Sequence, residues 1–283
     1  MDRQRVEEAA FKALMLLSLG VLAASLGWVV LTVLVRGLPA LTLEMITQIP
    51  RGGFYLGGEG GVLNAITGSL CLAFGATAAA LLLSLPIVFF LQKEYGGGSR
   101  LAALTQLSLD VMWGIPSIVY GVFVFVIMRY VGLRASLLGG IIALCLVELP
   151  IMARAMQEVV KMVPVELKES SYALGATRLE TAARVVWRHA LPGLLTAVLL
   201  AFGRGIGDAA SVLFTAGYTD NLPSSLTEQV ASLPLAVFFL SGTHLEKVRQ
   251  RAYACGAILL VMVLLLSIGA RLLARRHQAY VQR

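Results

Sequence analysis

The chain has 283 residues, of which 58% are hydrophobic and 14% are charged, and its formal net charge is +7 at pH 7. Soluble domains usually carry about a quarter charged residues. One water-soluble core cannot hide this much apolar surface, so the composition excludes an ordinary soluble protein and favours an integral membrane protein. Basic residues beside apolar spans explain the positive charge better than nucleic-acid binding does.

Six apolar stretches are long enough to cross a bilayer, which takes roughly 20 residues of helix. We therefore predict an all-α integral membrane protein with a single transmembrane domain over 1–283. The first stretch is expected to be a retained helix, because Glu7 and Glu8 lie among its basic residues. The predicted spans lie near 12–35, 62–91, 111–130, 136–153, 191–217 and 253–274.

The distribution of Lys and Arg predicts the orientation of these spans. With the N-terminus inside, the inner segments hold fifteen basic residues and the outer segments hold seven. Because inner loops of membrane proteins are enriched in Lys and Arg, we expect both termini in the cytoplasm of a bacterium, with the chain in its inner membrane. This orientation also places the charged insert 164–190 in the cytoplasm.

The insert has the pattern of a helix, a sharp turn and a second helix. Pro164 suits the start of a helix, and Gly175 suits its end, because glycine readily takes a left-handed conformation. Thr177 followed by Glu180 has the spacing of a capping box. Helices this short need a surface to pack on. Either they lie on the inner membrane surface, or their small apolar tip enters a cleft on another protein.

The stretch from Glu169 to Gly175 resembles the Glu-Ala-Ala coupling loop of ABC-importer permeases. The glutamate and the glycine match at the family's spacing, and serines replace the two alanines. The resemblance implies a type I ABC importer permease fold with a cytoplasmic helix-turn-helix coupling insert that docks in a groove of an ATPase subunit. The coupling residues that it implies are Glu169, Ser170, Leu174, Gly175 and Ala176.

Further segments resemble the phosphate-importer permeases, and the A-type more than the C-type permease of that system. The resemblance implies half of a pathway that moves phosphate by alternating access. It also implies a second permease, two ATP-binding subunits and an external phosphate-binding protein as partners, together with the lipid bilayer. The matching segments are 60–68, 93–95, 113–121, 148–154 and 203–217.

The chain itself is not expected to be an enzyme. It contains no Gly-x-x-x-x-Gly-Lys-Ser/Thr loop, so ATP hydrolysis is assigned to separate subunits. Its three cysteines show no metal-type spacing, and we predict no cofactor and no metal site.

Arg204 and Asp208 are the candidate residues of the substrate pathway. Arg204 lies twelve residues beyond Pro192, about 18 Å along a helix and therefore near the middle of the membrane. Asp208 is four residues further on, on the same helix face. One interpretation is a structural ion pair that fixes helix packing. The other is that Arg204 binds a tetrahedral oxyanion while Asp208 holds Arg204 and keeps it from trapping the anion.

Two neighbouring features are open to more than one interpretation. Glycines 203, 205 and 207 allow either a helix or the anion to approach closely. Glu148, a second acid within a span, either pairs with Arg204 or lies in water at the inner surface.

Two other functions remain open from the sequence. One is a permease of the same architecture for another oxyanion, such as molybdate, sulfate or phosphonate. The other is an ion-coupled secondary carrier, which also uses intramembrane charges but needs no ATPase.

Overall fold

The structure is a computed structural model that describes residues 2–51, 60–92 and 94–281; Lys93 of the 93–95 segment lies outside them. Within these ranges every regular element is a helix, apart from one isolated bridge between Pro50 and Gly60, which confirms the all-α prediction. The helices are, in chain order, α1 (Asp2–Gly37), a 3-10 turn (Leu38–Ala40), α2 (Leu43–Thr47), α3 (Leu63–Phe90), α4 (Arg100–Gly114), α5 (Ser117–Tyr130), α6 (Leu137–Lys161), α7 (Val165–Ala173), α8 (Arg178–Glu180), a π-helical segment (Thr181–Val186), α9 (Trp187–Ile206), α10 (Leu233–Ser241) and α11 (Glu246–Val281).

The described residues hold up to six membrane spans. Five helical stretches are long and apolar enough to cross a bilayer, and the bent pair α4–α5 makes a sixth if it counts as one span. The five are Glu7–Ala40, Leu63–Phe90, Leu137–Lys161, Arg178–Ile206 and Glu246–Gly269.

The third predicted span, 111–130, is not one helix. Helix α4 ends at Gly114, α5 begins at Ser117, and the two axes meet at 107°. Pro116 has no N–H to donate and forces the residue before it out of helical geometry, so Ile115 is extended, with φ −78° and ψ 128°. The Tyr120 hydroxyl donates to the Met112 carbonyl at 2.7 Å and fixes the bend.

The fifth predicted span, 191–217, is helical only as far as Ile206. The chain then forms tight turns, because the Asp208 carboxylate accepts a hydrogen bond from the Ser211 N–H at 2.9 Å. Much of this irregular segment is buried in protein, and the backbone groups of Thr215 and Ala216 bond to neighbouring segments. Irregular backbone inside a membrane is tolerated under these conditions.

Helix α6 lies at the centre of the molecule and packs against α3, α4, α5 and α9. Sixty-one per cent of its most apolar stretch is buried, whereas none of the corresponding stretch of α1 is. Helix α1 touches mainly α11, so most of its side chains face outward. Near the predicted outer surface, α10 buries Leu233, Ala236 and Leu240 against α2 and α11 residues.

Candidate functional site

The first arm of the insert is α7, which starts directly after Pro164. It ends at the predicted turn, where Gly175 has φ +82°, a conformation that costs glycine little. Thr177 then caps the second arm as predicted. Its hydroxyl accepts from the Glu180 N–H at 3.3 Å, and the Glu180 carboxylate accepts from the Thr177 N–H at 2.9 Å.

The second arm is not a separate short helix, as the sequence pattern suggested. Residues Arg178–Ile206 form one continuous helix of 29 residues, because the segment 181–186 continues as a π-helix and α9 runs on through Pro192. Such π segments occur often at functional sites. The helix runs from the turn of the insert to Arg204, about 40 Å away at 1.5 Å per residue.

Of the five predicted coupling residues, Glu169 and Ser170 lie in α7, and Leu174, Gly175 and Ala176 lie in the turn that follows it. Glu169, Ser170 and Gly175 are exposed, and Ala176 is half-buried. Leu174 is 89% exposed, although it is a large apolar side chain. Across the turn, Leu179 of the second arm is 74% exposed. An exposed apolar tip beside charged residues is typical of a surface that another protein covers.

Arg204 and Asp208 form the predicted ion pair. Arg204 Nη1 donates to Asp208 Oδ2 at 2.9 Å, and the arginine side chain is 48% exposed while the aspartate side chain is 2% exposed. Asp208 is therefore a fixed, buried partner, and the guanidinium lies at the surface of the single chain. No second hydrogen-bond partner of Arg204 occurs among the described residues, so its remaining N–H groups can bind an anion.

Arg204 lines two cavities. The larger, of about 960 Å³, lies between α3, α9 and α11 and includes Phe74 and Thr77. The smaller, of about 340 Å³, lies at the α4–α5 bend and includes Trp113 and Tyr120. A guanidinium at the wall of two cavities can contact a solute from either one.

Both interpretations of Glu148 are wrong. The side chain is fully buried, so it does not lie in surface water. It makes no ion pair with Arg204 in the described part of the chain; Oε2 instead accepts a hydrogen bond from the Thr77 hydroxyl at 2.8 Å. Helix α3 supplies that hydroxyl because α3 and α6 pack closely along their small residues. The sequence carried no signal for Thr77, which lies in a run of alanines.

Only the middle glycine of the three in this region is a close contact. A Cβ at Gly205 would lie 1.8 Å from Glu148 Oε1, whereas a Cβ at Gly203 or Gly207 would meet no atom within 4 Å. Of the two close approaches that the glycines predicted, helix or anion, the one found at Gly205 is helix packing of α9 against α6. Gly203 opens onto the larger cavity.

Comparison with known proteins places these features in one family of sequences. A family described as "Binding-protein-dependent transport system inner membrane component" matches residues 89–278. The phosphate transport system permease protein PstA of Xylella fastidiosa (strain 9a5c) is 32% identical over 248 residues, covering 87% of this chain and 85% of the relative. PstA 1 of Mycobacterium tuberculosis (strain CDC 1551 / Oshkosh) is 31% identical over 274 residues, covering 96% and 90%.

Solved structures show the same fold at lower sequence identity. The inward-facing MetNI methionine ABC transporter gives a TM-score of 0.63 at 18% identity, covering 76% of this chain and 95% of that one. A bacterial alginate ABC transporter, in complex with its alginate-bound periplasmic protein, gives 0.57 at 17% identity, covering 92% and 94%. These likenesses confirm the predicted type I ABC importer permease fold.

Proposed function

The chain belongs to the family of binding-protein-dependent transport system inner membrane components, and from this premise we propose that it is the transmembrane permease subunit of an ATP-driven phosphate importer. The observation that carries the proposal is its similarity to named phosphate permeases, at 31% identity over 96% of its length in one case. The chain is a multi-pass protein of the inner membrane.

The transporter contains more than this chain. The Arg204 side chain is half-exposed in the single chain, which supports a second permease that completes the pathway on that side. Two ATP-binding subunits supply the energy, and an external phosphate-binding protein delivers the anion. This chain contributes the pathway and neither hydrolyses ATP nor carries a cofactor of its own.

The insert 164–190 is the contact with an ATP-binding subunit. Glu169, Ser170, Leu174, Gly175 and Ala176 seat its turn in a groove of that subunit, and the 89% exposure of Leu174 supports this role. An apolar side chain of this size gains free energy when it leaves water. Both chain termini lie on the same, cytoplasmic side of the membrane as the insert.

Arg204 and Asp208 act in the pathway. As the ATP-binding subunits close, the insert moves and the long helix Arg178–Ile206 moves with it, so that access to Arg204 alternates between the two sides. A guanidinium offers forked N–H donors that match a phosphate group. The Asp208 carboxylate competes with phosphate for the Arg204 guanidinium. This competition weakens the binding of phosphate, so the anion is released.

Uptake by cells that lack their own phosphate permeases tests the proposal. This chain and its partner subunits should restore ATP-dependent uptake of labelled phosphate, and an excess of molybdate, sulfate or phosphonate should leave that uptake unchanged. Competition by one of those anions would assign the chain to that anion instead.

Purification in mild detergent is the second part of the test. ATP-binding subunits should copurify with the chain. Their absence, combined with uptake that persists without ATP, would identify an ion-coupled carrier and overturn the proposal.

A further inference from the structure

We propose that Glu94 and Tyr95 form a brace that makes α3 move together with the coupling insert, so that both walls of the larger Arg204 cavity respond to the ATP-binding subunits. The inference rests on the proposed function of the chain as an ATP-driven permease. It assigns a positioning role to a segment that the pathway and the docking contact leave without one.

The brace ties both arms of the insert to the loop that follows α3. On the first arm, Lys168 Nζ lies 3.0 Å from Glu94 Oε1. On the second arm, Arg178 Nη1 donates to the Glu94 carbonyl at 2.7 Å, and the Tyr95 hydroxyl donates to the Arg178 carbonyl. Two consecutive residues thus hold the two arms at one point.

The Glu94–Lys168 pair is shielded from water. The side chains are 27% and 13% exposed, whereas those of the surface pair Glu158–Lys161 on α6 are 66% and 49% exposed. Burial alone would raise the pKa of Glu94, but a backbone hydrogen bond and the contact with Lys168 outweigh it and lower the pKa. Glu94 is therefore charged at neutral pH, and the pair is screened less than an exposed one.

The brace is joined stiffly to α3. The Tyr95 N–H donates to the Gln92 carbonyl at 3.1 Å, and the Gln92 side chain donates to the Val88 carbonyl in the last turns of the helix, at 3.2 Å. Beside it, the ring of Phe89 stacks on that of Trp187, with centroids 6.3 Å apart. Movement of the insert is therefore transmitted to α3 through these hydrogen bonds and the aromatic contact.

The brace gives the insert a direct contact with the end of α3, which the order of the helices along the chain does not provide. The insert is continuous with α9 and follows α6 after a short connection, but α3 lies far from it in sequence. Helix α3 nevertheless supplies Phe74 and Thr77 to the cavity whose other wall carries Arg204. Helix α3 also packs against α6 and α9 within the membrane, and the brace adds a contact at the insert itself, so that α3 follows the insert together with α6 and α9.

Charge reversal in the whole reconstituted transporter tests the brace. Proteoliposomes carry this chain, its partner permease and the ATP-binding subunits, with the phosphate-binding protein added. Glu94→Lys and Lys168→Glu should each lower the phosphate moved per ATP hydrolysed by about fivefold or more, with the ATP-binding subunits still attached. The double variant, which restores an opposite-charge pair, should recover to within about twofold of wild type.

The matched control reverses the exposed Glu158–Lys161 pair, which joins no two elements and should leave the ratio unchanged. Single reversals at Glu94 and Lys168 without effect would overturn the inference, as would a double variant that recovers nothing. Loss of the ATP-binding subunits from both single variants, without recovery in the double, would also overturn it, because the pair would then serve assembly. A wild-type transporter that moves no phosphate would instead refute the proposed function.

Discussion

A methyl group placed on Gly205 tests the buried contact between α9 and α6. A Cβ at this position would lie 1.8 Å from Glu148 Oε1 and 2.8 Å from its Cδ, whereas ordinary van der Waals contact begins at 3.4 Å. The carboxyl group cannot turn away freely, because it is fully buried and its other oxygen accepts the Thr77 hydrogen bond. We therefore expect Gly205→Ala to destabilise the protein.

The size of the effect follows from three contributions. Overpacking of a well-filled interior costs about 1–3 kcal/mol. Displacing the carboxyl group breaks its hydrogen bond, and a buried polar group left unpaired costs about 1–3 kcal/mol more. Alanine offsets only about 1 kcal/mol, because it forms helix more readily than glycine does. The expected net destabilisation is therefore about 1–5 kcal/mol.

The assay is heating of the detergent-solubilised transporter, followed by size-exclusion chromatography of the surviving assembly. Gly203→Ala is the matched control: it adds the same methyl group to the same helix, where no atom lies within 4 Å, and should be neutral or stabilising. Glu148→Ala combined with Gly205→Ala should be less damaging than the sum of the single changes. Equal stability of the Gly205 and Gly203 variants, or simple additivity, would refute the assigned contact.

Three further variants test the site and the insert. Asp208→Ala leaves the Ser211 N–H unpaired and should lower the stability by about 1–3 kcal/mol in the heating assay. Asp208→Asn keeps an oxygen that accepts from this N–H and should lower the stability less. Equal losses in the two variants would contradict the hydrogen bond between Asp208 and Ser211. Leu174→Glu should reduce copurification of ATP-binding subunits by about tenfold or more. The control is Met162→Glu, which changes a side chain that is 81% exposed just outside the insert and should not reduce it. Full retention of the subunits by the Leu174 variant would contradict the docking role. Thr177→Ala removes the helix cap, which contributes about 0.5–2 kcal/mol to stability. In limited proteolysis the insert of this variant should be cut faster than that of the wild type. An unchanged rate would mean that the cap does not stabilise the turn.

Local chemistry made the insert predictable from sequence. Gly175 and the Thr177–Glu180 box act within one or two helical turns, so their residue types suffice to place the turn and the start of the second arm. The ion pair of Arg204 and Asp208 was predicted from a shared helix face. The pair forms, at 2.9 Å, but α9 ends at Ile206 and Asp208 lies in the turns just beyond it.

The errors arose where apolarity was read as continuous helix. Around Pro116 the composition stays apolar while the missing N–H breaks the helix, and after Ile206 the Asp208 carboxylate competes for backbone N–H groups. The partner of Glu148 depends on the way α3 packs against α6. Thr77 is 71 residues away in sequence, and no spacing rule connects residues so far apart.

The central claim is that Arg204 contacts phosphate as it crosses the membrane. It is tested most directly by ATP-dependent accumulation of labelled phosphate in proteoliposomes that contain the complete transporter, with Arg204→Ala compared with wild type. Hydrogen bonds to a charged group contribute about 1.5–3 kcal/mol, so we expect the variant to assemble with its ATP-binding subunits and to accumulate phosphate at least about tenfold more slowly. Accumulation at the wild-type rate by a fully assembled Arg204→Ala transporter would contradict the claim.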